Sequence, residues 1–169
     1  MPEWVPVPGS AKARLIEAAL HEFEQAGYAA VAVTDLAAKA GVTTGSLYHH
    51  FGSKLGLYTV VRDDVEKRIT DRMEGAAAAV GGTGRTAVRA AVLVAFDAAA
   101  RFGTCRLLGE TTAADRPDPI RLTLEALLPD DAGTAAVVLA AAWRAALLET
   151  AGGAPAAAGR RALEFLLSG

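Results

Sequence analysis

Between positions 34 and 54 the chain reads TDLAAKAGVTTGSLYHHFGSK, and the side chains able to do chemistry crowd into that stretch. Thr34, Thr43, Thr44 and Ser46 carry hydroxyls, Tyr48 a phenol, His49 and His50 imidazoles, and Lys54 an ammonium. Such groups suit an anionic oxygen rather than a reacting carbonyl. Gly45 stands among them without a side chain, so a partner can approach the backbone there. A catalytic set is missing: the chain has no GxSxG, HExxH or P-loop, and no GxGxxG following a strand. The single cysteine, Cys105, has no histidine in its half of the chain, because the three histidines are His21, His49 and His50. Neighbouring residues on a helix point about 100° apart, so the adjacent pair His49 and His50 lacks the i, i+4 spacing of two metal ligands. No catalytic residue, cofactor or metal site is expected.

The elements that must position these groups are two short helices joined by a tight turn. Thr34 is the expected N-cap of the first, with Asp35 near the positive end of its dipole. Leu36, Ala37 and Ala40 give it one apolar face. Gly41 stops it, since glycine adopts the left-handed conformation without steric cost, and Val42 plugs the turn into the core. Thr43 or Thr44 caps the second helix, which runs to His50. Leu47 and Phe51, four apart, face inward together. Rotation of about 100° per residue then points Thr44, Gly45, Tyr48 and His49 outward. Gly52 and Ser53 end this helix, and Ser53 can cap the next. This is the pattern of a helix-turn-helix, whose second helix enters the DNA major groove. Thr44 can touch a thymine methyl or a phosphate, Tyr48 and either histidine can bond a phosphate, and Lys54 is a phosphate partner beside a helix N-terminus. The helix carries no Arg, Gln or Asn, the usual bidentate readers of guanine and adenine, so reading is expected to use methyl contacts, backbone approach and DNA shape.

The extended phrase, with its LYHHF run and a lysine three residues past Phe51, resembles the DNA-binding domain of TetR-family transcriptional repressors. The resemblance runs from helix one into helix four. It implies an all-α chain of about nine helices, an N-terminal three-helix DNA-binding domain followed by a C-terminal helical domain for ligand binding and dimerisation. Carried over, the family's phosphate contacts fall on Thr34, Thr43, Tyr48, His50 and Lys54, and its base contacts on Thr44, Gly45 and His49; Ser46 is counted with them among the DNA-binding residues. The implied function is a ligand-responsive repressor. A homodimer would bind a near-palindromic double-stranded DNA operator and be released by a small-molecule effector. The fourth helix would be the lever between the domains. The alternative is a helical interaction protein of the same fold without specific DNA binding.

Composition agrees with this outline. The 169 residues are 52% hydrophobic but only 6% aromatic, with alanine supplying much of the rest, and alanine has the best helix propensity. A net charge of −2 and a pI near 5.9 argue against non-specific coating of nucleic acid, which needs a basic surface. One cysteine cannot form an internal disulfide, which fits a reducing cytoplasm. The start lacks the basic-then-apolar pattern of a signal peptide. The apolar run from Ala135 to Trp143 is read as too short to span a bilayer, so no membrane partner is expected.

In chain order, residues 1–9, with three prolines and Trp4, read as a disordered arm. The DNA-binding domain follows over 10–56. Its first helix starts at Ser10, buries Leu15, Ile16, Ala19, Leu20 and Phe23, and ends at Gly27. A linking helix covers 57–80, with Leu57, Val61, Val65 and Ile69 as its apolar stripe and Asp63, Asp64, Glu66, Lys67 and Arg68 solvated. The regulatory and dimerisation domain occupies 81–169, after the break at Gly81, Gly82 and Gly84. Helices are expected over 85–102, 104–114, from Pro117 or Pro119 to Leu128, over 131–151 capped by Asp130 and Asp131, and over 156–167. The helix at 131–151 is apolar nearly all round, which suggests burial on several sides and a subunit interface with the last helix. Phe96, Phe102 and Trp143 are candidates to line a ligand pocket. Arg144, a lone cation in that apolar helix, would meet an acidic ligand, Glu149 or another carboxylate.

Overall fold

The computed structural model describes residues 7–111, 116–129 and 132–168; Trp4, Asp115, Asp130 and Asp131 lie outside them. The described residues form nine helices and no strand: α1 (Ala11–Ala26), α2 (Val33–Lys39), α3 (Thr44–Phe51), α4 (Lys54–Ala78), α5 (Arg85–Phe102), α6 (Cys105–Gly109), α7 (Pro119–Leu127), α8 (Gly133–Ala151) and α9 (Ala156–Leu166). Close contacts group them into two units, Met1–Asp64 and Val65–Gly169, which divide within the continuous helix α4.

In the first unit, Ser10 caps α1 by accepting from the Ala13 amide at 3.2 Å. Leu15, Phe23, Leu36, Leu47 and Leu57 are fully buried and bring α1 to α4 around one core. Each contributes about 1.5–3 kcal/mol relative to exposure. Phe23, Tyr28 and Tyr58 add an edge-to-face aromatic cluster, with Tyr58 centred 5.0 Å from Phe23 and 4.8 Å from Tyr28. On α1, Ile16 and Leu20 are only half-buried, and Ala18 takes the buried position instead.

In the second unit α8 packs against α5, α6, α7 and α9. The apolar sides of α5, including Val88, Val92, Leu93 and Phe96, are buried as their spacing predicts. Asp118 caps α7 by accepting from the Ile120 and Arg121 amides, with Pro119 at the first helical position. On α9, Arg160 donates to Asp97 of α5 at 3.0 Å; hydrogen bonding and attraction to Asp97 raise its pKa further.

Several expectations are corrected. Glu66, read as solvated, is 2% exposed and accepts from Arg116 Nη2 at 2.7 Å. Helix periodicity places it on the polar side of α4, but a partner from the α6–α7 connector covers it. The helix expected over 104–114 ends at Gly109. The cap position of α8 is held by Ala132, with no side-chain bond. The apolar stretch read as too short to span a bilayer belongs to a 19-residue helix, long and apolar enough on length and composition alone. One side of it, with Trp143 and Arg144, is buried against four helices, while Val137, Val138 and Leu148 are exposed.

Candidate nucleic-acid interface

The geometry of α3 follows from its ends and its anchor. Thr43 is the residue that caps it, its Oγ1 accepting from the Ser46 amide at 3.2 Å. Gly41, at φ +63°, turns the chain out of α2 in a conformation costly for other residues. Leu47 is fully buried and fixes the rotation of the helix. Opposite it, Thr44, Gly45, Tyr48 and His49 are exposed. Tyr48 is 52% exposed, so its ring is not spent on packing. A Cβ on Gly45 would meet only Thr43 Oγ1, at 3.7 Å, which leaves the backbone open to a partner. Ser46 is half-buried.

Three ties from α1 and the connectors hold this element in place. Arg14 Nε donates to the Ala40 carbonyl at the end of α2, at 2.9 Å. Glu22 of α1 pairs with Lys39 of α2. Lys54 Nζ donates to the carbonyls of Tyr28 and Val31, each at 2.9 Å, and sits 4.4 Å from the Tyr28 ring centroid. Lys54 therefore staples the α1–α2 connector to the start of α4, with one ammonium hydrogen left for a phosphate. Nothing in the sequence announces this, because a lysine head on its flexible stem can reach many places.

Thr34 does not cap α2. The cap position is Ala32, without a side-chain bond, and Thr34 is an exposed residue of the first turn. Starting the helix two residues earlier uses the extended conformation of Ala32 and leaves Thr34 exposed in the first turn. His49 and His50 are both exposed, with rings 5.2 Å apart. His50 lines an open groove of about 510 Å³ with Lys12, Phe51, Ser53 and Gly56, away from the Tyr48 face. Ser53 caps α4 by accepting from the Gly56 amide at 2.9 Å. Lys12 and Ser53 thus share this groove with His50, although the sequence reading did not assign them to the interface. The signal for Lys12 was its place in the first turn of α1, which says nothing of α3 until the two helices are packed.

The pocket candidates separate. Phe96 and Trp143 are buried, whereas Phe102 is 56% exposed, with the Arg72 guanidinium 4.9 Å from its ring centroid. Arg144 is paired, but with Asp118, at 2.6 Å, rather than with Glu149.

Residues 15–61, the span of this interface and its scaffold, match the sequence profile of the bacterial regulatory proteins, tetR family. The chain is 32% identical over 87 residues to the HTH-type transcriptional regulator BetI of Paraburkholderia phytofirmans, covering 52% of this chain and 45% of that protein. It is 35% identical over 88 residues to the HTH-type transcriptional activator FasR of Mycolicibacterium smegmatis, covering 51% and 39%. These alignments thus span less than half of either relative's length. Among solved structures, a TetR-like transcriptional regulator from Rhodococcus sp. RHA1 superposes with a TM-score of 0.70 at 21% identity, covering 97% of this chain and 96% of that one. A TetR-family regulator from Pectobacterium atrosepticum gives 0.64 at 23% identity, with 92% and 91% covered. At such identities the likeness speaks for the fold across both units, and the profile and relatives speak for the helix-turn-helix. Residues 15–61 thus carry the helix-turn-helix of the bacterial regulatory proteins, tetR family, within a chain whose fold is like that of TetR-family regulators.

Proposed function

We propose that this protein is a transcriptional repressor that binds a near-palindromic DNA operator as a homodimer and is released by a small molecule bound in its second unit. The observation that carries the reading is the outer face of α3. Thr44, Gly45, Tyr48 and His49 are exposed together while Leu47 is locked in the core behind them. In this reading Thr44, Gly45 and His49 meet base edges, and Thr34, Thr43, Ser46, Tyr48, His50 and Lys54 meet phosphates and sugar. Pairing of two chains would set the recognition helices one DNA turn, about 34–36 Å, apart. Support for pairing comes from apolar side chains left outside the second unit: Val137, Val138 and Leu148 on α8, and Phe165 and Leu166 on α9. Phe165 is 82% exposed, unusual for an aromatic side chain in a lone subunit. Phe96, Trp143 and Arg144, with Phe102 at the exterior, are the residues assigned to effector response. The effector binds more tightly to a form in which α4 has shifted, and the loss of DNA affinity is bounded by that difference.

A mobility-shift assay with the DNA flanking the protein's own gene tests this. Binding should fall linearly with the logarithm of salt, as released counterions require. A flat response would favour the interaction protein without DNA binding. Because FasR is an activator by name, a reporter downstream of the bound site decides the sign: repression is expected, and higher expression with the protein present would make it an activator.

A further inference from the structure

Among the described residues, the buried side-chain polar atoms without a hydrogen-bond partner are Trp143 Nε1 and Arg144 Nη1, on successive residues of α8. Trp143 is 1% exposed and Arg144 8%. The guanidinium carbon lies 5.9 Å from the Trp143 ring centroid, so the two side chains are neighbours in the core. Indole and guanidinium N–H groups only donate. Leaving buried donors unanswered is costly, and two neighbours in one packed helix point to an acceptor from outside the chain. Resting on the reading of the second unit as the sensor, we propose that its effector is a small organic monocarboxylate whose carboxylate accepts from Trp143 Nε1 and Arg144 Nη1.

Charge selects this class. Arg144 Nη2 already donates to Asp118 Oδ1 at 2.6 Å. Two residues earlier, Arg116 Nη2 donates to Glu66 Oε2 at 2.7 Å. Each of these two pairs balances its own charge. A neutral acceptor would gain little from the guanidinium, and a phosphate dianion would bring two negative charges beside Asp118. A carboxylate brings one, and its planar oxygens match the guanidinium fork.

The same chain of pairs supplies the response. Asp118 both holds Arg144 and caps α7, and its neighbour Arg116 holds Glu66 of α4. A carboxylate that shares Arg144 weakens its hold on Asp118. The α7 entry and the Arg116–Glu66 tie to α4 are then loosened together. A buried water could also satisfy both donors, and the experiment separates the two.

Trp4→Phe leaves Trp143 as the sole tryptophan of the full chain. Its emission and the heat of binding are followed during titration with acetate, hexanoate and benzoate. Hexanamide, benzamide and inorganic phosphate serve as the comparison. A saturable response to hexanoate or benzoate, absent with the amides, is expected. Trp143→Phe keeps an aromatic ring and removes the N–H, and should weaken binding in calorimetry about tenfold or more. The pair Arg144→Met with Asp118→Asn, which leaves a capping side chain at 118, should abolish binding while circular dichroism still shows a folded helical protein. Binding of none of the three carboxylates, equal binding of acids and amides, phosphate binding in their place, or unchanged affinity in Trp143→Phe overturns the proposal. The titration involves no DNA, so its failure leaves the operator reading intact. Saturable carboxylate binding that leaves the mobility shift unchanged would instead sink the sensor reading while the site stands.

Discussion

At the residue scale, Tyr48 and Thr43 differ in what they do within the protein itself. Tyr48 is 52% exposed on the outer face of α3, so Tyr48→Phe should leave the melting temperature unchanged. It should weaken operator binding by about fivefold per subunit, the worth of one hydrogen bond near 1 kcal/mol, measured by mobility shift at fixed salt. Thr43 works inside the protein through its bond to the Ser46 amide. Thr43→Ala should cost about 1 kcal/mol of stability in denaturant unfolding. Lys54, proposed as a phosphate partner, is also tied into the protein, since its ammonium already binds two connector carbonyls. Lys54→Met should lower the unfolding midpoint as well as DNA affinity. A loss of DNA affinity with unchanged stability would show that the carbonyl bonds contribute little. Residue types and their order were enough to locate the helix-turn-helix face. They were not enough to tell Thr34 from a cap or Lys54 from a purely phosphate-facing lysine. Those distinctions depend on where a helix starts to within two residues and where a flexible stem comes to rest.

At the element scale, the start of α4 is packed against the end of α3 with no space for a methyl group. A Cβ built on Gly56 would lie 2.0 Å from the Phe51 carbonyl oxygen, a backbone atom that cannot swing aside. Gly56→Ala should therefore push α3 from its seat at a cost on the order of 3 kcal/mol. The expected readout is a lower unfolding midpoint, with DNA binding lost beyond what instability explains. Most helix boundaries were legible because punctuation marked them: Ser10 and Gly27 around α1, Gly84 and Gly103 around α5, Pro119 at the start of α7. The stretch after Gly109 had no such marks, and α6 stopped five residues before the expected end. Glu66 escaped for a different reason. Periodicity assigns it to a polar face, while the arginine that covers it comes from a connector fifty residues away.

At the scale of the whole molecule, the decisive matter is the apolar surface of α8 and α9. A single subunit leaves Val137, Val138, Phe165 and Leu166 facing solvent. A stable pair of chains needs about 800 Å² buried on each side. Phe165→Glu should convert the protein to a monomer in sedimentation at micromolar concentration and leave its helical circular dichroism unchanged. It should also weaken operator binding by orders of magnitude, because two half-sites no longer bind as one unit. A dimer that survives Phe165→Glu would move the interface elsewhere.

The all-helical class, the helix-turn-helix and its outward face were determined by the sequence alone. Each rests on local rules of capping, glycine stops and a rotation of about 100° per residue, which need no knowledge of distant residues. Tertiary structure decided the rest: Lys54 on the Tyr28 and Val31 carbonyls, Arg144 on Asp118, Glu66 under Arg116, and Phe102 left outside while Trp143 went in. These depend on which segments pack together across tens of residues, and a long side chain takes its partner from that packing rather than from its neighbours in the chain.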